Sequence, residues 1–251
     1  MIIKYSPNKK NLHNEIRDGI REDGAVILKN FMSPVKMKKI FNHVKKSFLN
    51  QKDIRRSGRF IYLQKDYKRL DIGDSYINSR VNRFLLYNEW NKKNFDLFQN
   101  IKDVIELRNL ICNMKKKKYQ YNLNGRSSSK YKWCDLVRMI QYPIGGGFLS
   151  LHTDENYKIF PRQMINVLIP LAKRTTKKYF FPTYETGGLY YLKKDRKKID
   201  AEKNIDVGDV LFHDLVNYHG VNSIDPDKNF ELNAFSGRMT LNISVGKFYI
   251  K

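Results

Sequence analysis

The stretch Leu136-Val-Arg-Met-Ile-Gln-Tyr-Pro-Ile-Gly-Gly-Gly-Phe-Leu-Ser-Leu-His-Thr-Asp154 decides the reading of this chain. Its first seven residues are β-prone and predict a strand. Pro143 and the run Gly145 to Gly147 then reverse the chain, because glycine reaches backbone angles closed to other residues. His152 and Asp154 follow at i and i+2. In an extended segment both side chains point to one side, so both can reach a single bound ion.

Outward from this stretch, more short strands are expected. Met164-Ile-Asn-Val-Leu-Ile-Pro-Leu171 is a nearly unbroken apolar run, the pattern of a strand buried on both faces. Gly187 to Leu192, Val207 to Phe212 and Tyr218 to Val221 are apolar or aromatic and set off by turn residues. Arg238 to Val245 alternates and closes the series. Strands spaced in this way predict a barrel or sandwich.

A His-x-Asp pair alone is a weak signal, since a lone histidine is more often a satisfied core or surface residue. Here it has company. His219 supplies a second imidazole, and two imidazoles with one carboxylate can hold Fe(II) on one face and leave the other open. Arg238, further on in a strand, has the planar, permanently charged fork suited to the acid end of a co-substrate.

The order His152-x-Asp154, Gly187-Gly188-Leu189, Gly208-Asp209, His219-Gly220-Val221 and Arg238-x-Thr240 resembles the core of the Fe(II)/2-oxoglutarate-dependent dioxygenases. Gln141-Tyr142-Pro143-x-Gly145 is similar to the step before the iron pair in prolyl hydroxylases and nucleic-acid demethylases. Residues 16 to 31 resemble the opening of the phytanoyl-CoA dioxygenase-like branch. The resemblance implies a mainly β protein with flanking helices (α+β), built on a double-stranded β-helix, the cupin-like jelly roll. It implies one dioxygenase domain over 1–251, with a helical and loop-rich extension at 1–133 and the core at 134–251.

For the site, the resemblance implies that His152, Asp154 and His219 bind Fe(II) and that 2-oxoglutarate and O2 are consumed. Arg238 is then the partner of the C5 carboxylate, with Thr240 and Tyr142 adding hydroxyl hydrogen bonds. Asp154 stands where the related halogenases carry a small residue, so hydroxylation with release of succinate and CO2 is expected. The gap from His219 to Arg238 is longer than in many members of the family. The excess, residues 225 to 237, reads as a longer hairpin. His213 is a candidate for orienting a neighbour or touching substrate, although a structural histidine is the simpler reading. Glu155, Asn156 and Tyr157 are candidates for substrate contact by position alone.

Elsewhere the sequence predicts a helix over 12–22 with Leu12, Ile16 and Ile20 inward, then a strand over 25–28. Ser33-Pro34 reads as an N-cap with proline at the first helical position. The following helix, to about Leu49, turns Met37, Ile40, Phe41, Val44 and Phe48 inward, which leaves His43 at the surface. A short strand over 60–63, a helix from Asn94 to Met114 and a loop over 122–129 are also expected.

The 251 residues carry a formal charge of +23, which draws anions. The lysines are dispersed, as on a solvated surface. A small-molecule substrate, including an acidic one, is the leading reading. A nucleic-acid demethylase or protein hydroxylase is the second, and a non-catalytic binding protein on this scaffold the third. No run of eighteen apolar residues predicts a membrane span, and no apolar signal core is seen near the N-terminus, so a cytoplasmic protein is expected. Cys112 and Cys134 are then expected to be reduced thiols. The oligomeric state is not legible.

Overall fold

The structure is a computed structural model that describes residues 1–7, 9–54, 66–74, 78–113, 131–154, 165–193 and 196–249. The expected strand over 60–63, the loop over 122–129 and the residues Glu155, Asn156 and Tyr157 lie outside them.

The chain opens with β1 (Ile2–Lys4), α1 (Leu12–Asp23), β2 (Ala25–Lys29) and α2 (Pro34–Asn50). Next come β3 (Asp53–Ile54), β4 (Tyr67–Asp74), β5 (Ser79–Tyr87) and α3 (Phe95–Ile111). Then follow β6 (Tyr131–Tyr142), β7 (Gly147–His152), β8 (Ile165–Pro170), β9 (Lys173–Arg174) and β10 (Thr183–Tyr184). The last five strands are β11 (Gly188–Leu192), β12 (Lys198–Asp200), β13 (Val210–Asp214), β14 (His219–Ile224) and β15 (Arg238–Tyr249).

The helices follow the local signals. Ser33 accepts a hydrogen bond from the Lys36 backbone N–H at 3.3 Å, and Pro34 opens α2 behind it. Met37, Ile40, Phe41, Val44 and Phe48 form the buried face of α2, as the 3.6-residue period requires. Ile16 and Ile20 are buried on α1. His43 departs from expectation. It is half-buried, with its Nε2 3.2 Å from Asn94 Oδ1 and its ring 5.6 Å from that of Tyr87. It lies beside the apolar stripe of α2, where the turn before α3 covers it.

The strands build a jelly roll. One half runs β6-β15-β8-β13, extended by β2 and β1, and the other runs β7-β14-β11-β12. Every pairing within these two four-stranded halves is antiparallel. This alternation between two sheets is the double-stranded β-helix. β5 joins the halves by pairing with both β6 and β7. The halves face each other, because Tyr191 on β11 lies 5.6 Å, ring to ring, from His213 on β13. All six residues of β8 are buried, as its apolar run implies.

The long connection before β15 is tied down. Gln141 donates to the carbonyls of Ala234 (2.7 Å) and Ser236 (2.9 Å), and Arg83 donates to that of Leu232 (2.6 Å). Phe235 packs on Phe41 and Phe48. Arg238 therefore begins a long strand directly opposite Tyr142, buried within the roll. Cys112 is a buried free thiol. Among the described residues, no helix is long and apolar enough to cross a membrane.

Candidate metal centre

β7 ends on His152 and β14 begins on His219, and these two residues are register partners. Asp154 follows two residues after His152. Its backbone N–H donates to the Leu215 carbonyl at 2.9 Å, which turns the segment toward the mouth of β14. One ligand atom from each of His152, Asp154 and His219 lies within 4.8 Å of the others. His152 Nε2 is 3.5 Å from Asp154 Oδ1, and His219 Nε2 is 3.5 Å from Asp154 Oδ2.

The backbone sets the tautomers. His152 Nδ1 lies 2.9 Å from the Ser150 carbonyl, and His219 Nδ1 lies 2.9 Å from the Asn217 carbonyl. A carbonyl only accepts, so each Nδ1 carries the hydrogen and each Nε2 presents a lone pair toward Asp154. Three electron-pair donors thus converge, and a cation relieves their mutual repulsion. Asn166 donates to Asp154 Oδ2 and holds the carboxylate from the side.

The electrostatics fit this arrangement. Burial opposes the charge of Asp154, but a proton on His152, His219 or His213 would pull its carboxyl well below the usual carboxylate range, so the acid stays ionised beside the imidazoles. Burial lowers the pKa of His219, as metal ligation by a neutral imidazole requires. His213, its ring 5.0 Å from that of His219, is pushed down to about 3 by burial and by that neighbour. His213 is therefore a neutral imidazole packed against His219.

The remaining candidates cluster around Arg238. Its guanidinium lies over the Tyr142 ring at 5.4 Å, so it is the face of the ring that meets the cation. Burial raises the Tyr142 pKa, which keeps the phenol protonated. Thr240 is buried two residues further along the strand. The sequence reading missed Glu202, which is buried and accepts from Arg238 Nε. It also accepts from the Tyr184 hydroxyl at 2.7 Å and the Leu189 backbone N–H at 3.1 Å. Glu202 lies in a lysine-rich stretch beyond any motif, so no local signal marks it.

Two further polar groups were also missed. The Tyr191 hydroxyl is buried without a hydrogen-bond partner, with its ring 5.9 Å from that of His219. Asn166 Oδ1 is buried without a partner as well. Unpaired buried groups beside converging ligands are what a bound ion and its co-ligand would satisfy. Asn166 had a faint signal, as the polar residue inside the apolar run of β8. The donor set, its tautomers and these orphan atoms fit a divalent transition metal such as Fe(II).

No protein-family model matches this sequence, and no curated protein matches it. Solved structures do. A prolyl-4-hydroxylase from Pseudomonas putida shares 12% identity over 94% of this chain and 98% of its own, with a TM-score of 0.56. An oxidoreductase of the 2OG-Fe(II) oxygenase family from Burkholderia pseudomallei shares 10% identity over 98% and 95%, at 0.54. The epimerase SnoN, in complex with Fe3+, alpha ketoglutarate and nogalamycin RO, shares 7% identity over 95% and 86%, at 0.57. The architecture is thus the jelly roll of the 2OG-Fe(II) oxygenases.

Proposed function

We propose that this chain is an Fe(II)- and 2-oxoglutarate-dependent oxygenase that hydroxylates a small molecule. The observation that carries this reading is the convergence of His152, Asp154 and His219, with both imidazoles locked in the ligating tautomer. SnoN holds iron and alpha ketoglutarate on the same fold, which supports the choice of co-substrate.

His152, Asp154 and His219 would hold Fe(II), which supplies the oxygen activation that side chains cannot. Overall, the substrate C–H becomes C–OH, and 2-oxoglutarate becomes succinate and CO2. One atom of O2 enters each oxidised product. Arg238 binds the distal carboxylate. Its two terminal nitrogens have no hydrogen-bond partner among the described residues, which leaves the end of the fork available. Tyr142 backs the guanidinium from below, and Thr240 follows it along the strand. The apolar interior of the roll keeps bulk water from the reacting groups.

Succinate formation from 2-oxoglutarate, Fe(II) and O2 by the wild-type chain and Asp154→Ala tests this. Turnover that depends on Asp154 is expected. No turnover, together with no charge-transfer band on anaerobic mixing of Fe(II) and 2-oxoglutarate, would overturn it.

The charge of +23 favours a second reading, an oxygenase acting on nucleic acid. Binding to random single-stranded DNA that persists at moderate salt would support that reading, and weak binding would remove it.

A further inference from the structure

Arg238 already has a carboxylate. We infer that Glu202 is an internal counter-ion that weakens the site's grip on the distal acid of its co-substrate and narrows its preference for a diacid. The inference rests on the reading of Arg238 as the co-substrate's partner.

Glu202 and Arg238 are both buried, so their contact is little screened by solvent. The carboxylate is built into place. Oε1 accepts from Arg238 Nε and from the Leu189 backbone, and Oε2 accepts from Tyr184. The chain makes room for it at Gly188, where φ is +113° and a Cβ would collide with Glu202 Cγ. A carboxylate with three donors and a reserved space stays in position when a ligand arrives.

The guanidinium carries five N–H donors, and Glu202 takes only the one on Nε. The end of the fork can therefore receive a second carboxylate while the first remains. The charges then sum to one cation against two anions in a buried space. Arg174, which also acts on Tyr184, gives no relief, because it is committed to Asp200 at 2.8 Å and to the Gly187 carbonyl at 3.0 Å. The second carboxylate binds a cation that is already half neutralised, and the two carboxylates repel each other. A 2-oxo acid with an uncharged distal end escapes that repulsion.

The test is anaerobic calorimetric titration of the Fe(II)-loaded protein with 2-oxoglutarate and, separately, 2-oxopentanoate. Glu202→Gln keeps the shape, since its carbonyl still accepts from Arg238 and Leu189 and its amide can donate to the Tyr184 oxygen. The preference for 2-oxoglutarate over 2-oxopentanoate is expected to rise at least about tenfold in this variant, about 1.4 kcal/mol. Affinity for 2-oxopentanoate should stay within about twofold. An unchanged preference, or equal change for both acids, overturns the inference and leaves Glu202 a structural residue.

If Fe(II) binds but neither acid binds to either protein, the proposed function fails and the inference falls with it. If the wild type binds both acids and the preference does not move, only the inference fails. Should Glu202→Gln not fold by circular dichroism, the wild-type ratio decides. A preference below about thirtyfold supports the inference and one above it overturns it.

Discussion

Gly188 and Glu202 are packed so closely that a methyl group on the glycine would overlap the Cγ of the acid. With φ at +113°, the position also disfavours any side chain. Gly188→Ala is expected to cost about 2–4 kcal/mol in urea unfolding. In a Glu202→Ala background the cost should fall to the backbone share, about 1–2 kcal/mol. Equal costs in the two backgrounds would mean that the contact is not the reason for the glycine.

Tyr191 carries a buried hydroxyl without a partner, close to His219. Such a group penalises the ligand-free fold. Tyr191→Phe is expected to stabilise the metal-free protein by about 1 kcal/mol and to weaken anaerobic binding of Fe(II) plus 2-oxoglutarate. Loss of stability without loss of binding would show that the hydroxyl finds a partner in the protein.

A metal ion that binds only the folded triad must raise the unfolding temperature. At a hundredfold excess over Kd the gain is about 2.7 kcal/mol, or roughly 5–11 °C for a domain of this size. Zn(II) serves as a redox-inert probe in scanning calorimetry. The shift should vanish in His219→Ala, and a shift that survives in that variant would place the ion elsewhere.

His213 has a folded pKa of about 3, well below the ordinary histidine value of 6.5. In the metal-free protein its contribution is complete above about pH 6.5 and is lost as pH falls toward 3, because only the unfolded chain takes up the proton. Stability from urea titrations should fall by a few kcal/mol over that window. His213→Phe should flatten the slope, with His219 and Asp154 carrying what remains. An unaltered slope would show that the buried imidazole is protonated in the fold.

Arg83 is nearly inaccessible and gathers three partners. Its Nε lies 2.9 Å from Asp53 Oδ1, and its Nη1 donates to Gln141 Oε1 (2.9 Å) and to the Leu232 carbonyl (2.6 Å). Arg83→Met leaves these acceptors unpaired and should cost about 3 kcal/mol or more. It should also loosen the connection leading into Arg238, so proteolysis between residues 225 and 237 is expected to quicken. Unchanged cleavage would show that Gln141 suffices as the anchor.

The legible parts of this protein were those written in local chemistry. The apolar face of α2, its Ser33 cap and the run of β8 depend on neighbours in sequence, and each formed as read. The convergence of His152, Asp154 and His219 was legible because a resemblance supplied the order of residues far apart in the chain. His43 was misread because its cover, Asn94, comes fifty-one residues later. Glu202 was invisible for the same reason. A lone acid among lysines becomes informative only once the fold sets it beside Arg238.

β5 precedes every strand of the two four-stranded halves in sequence, yet it is the seam between them. β2, earlier still, lies against β13 with Leu28 opposite Val210. A nascent chain must therefore keep its first ninety or so residues waiting while the rest is synthesised. The closure is non-local, of the kind that folds slowly and exposes open strand edges on the way. The candidate ligands His152 and His219 sit on one half while Asn166 on the other holds Asp154, so the proposed metal site is complete only once the halves have closed. An ion that binds there would act late, as a latch on a nearly finished fold.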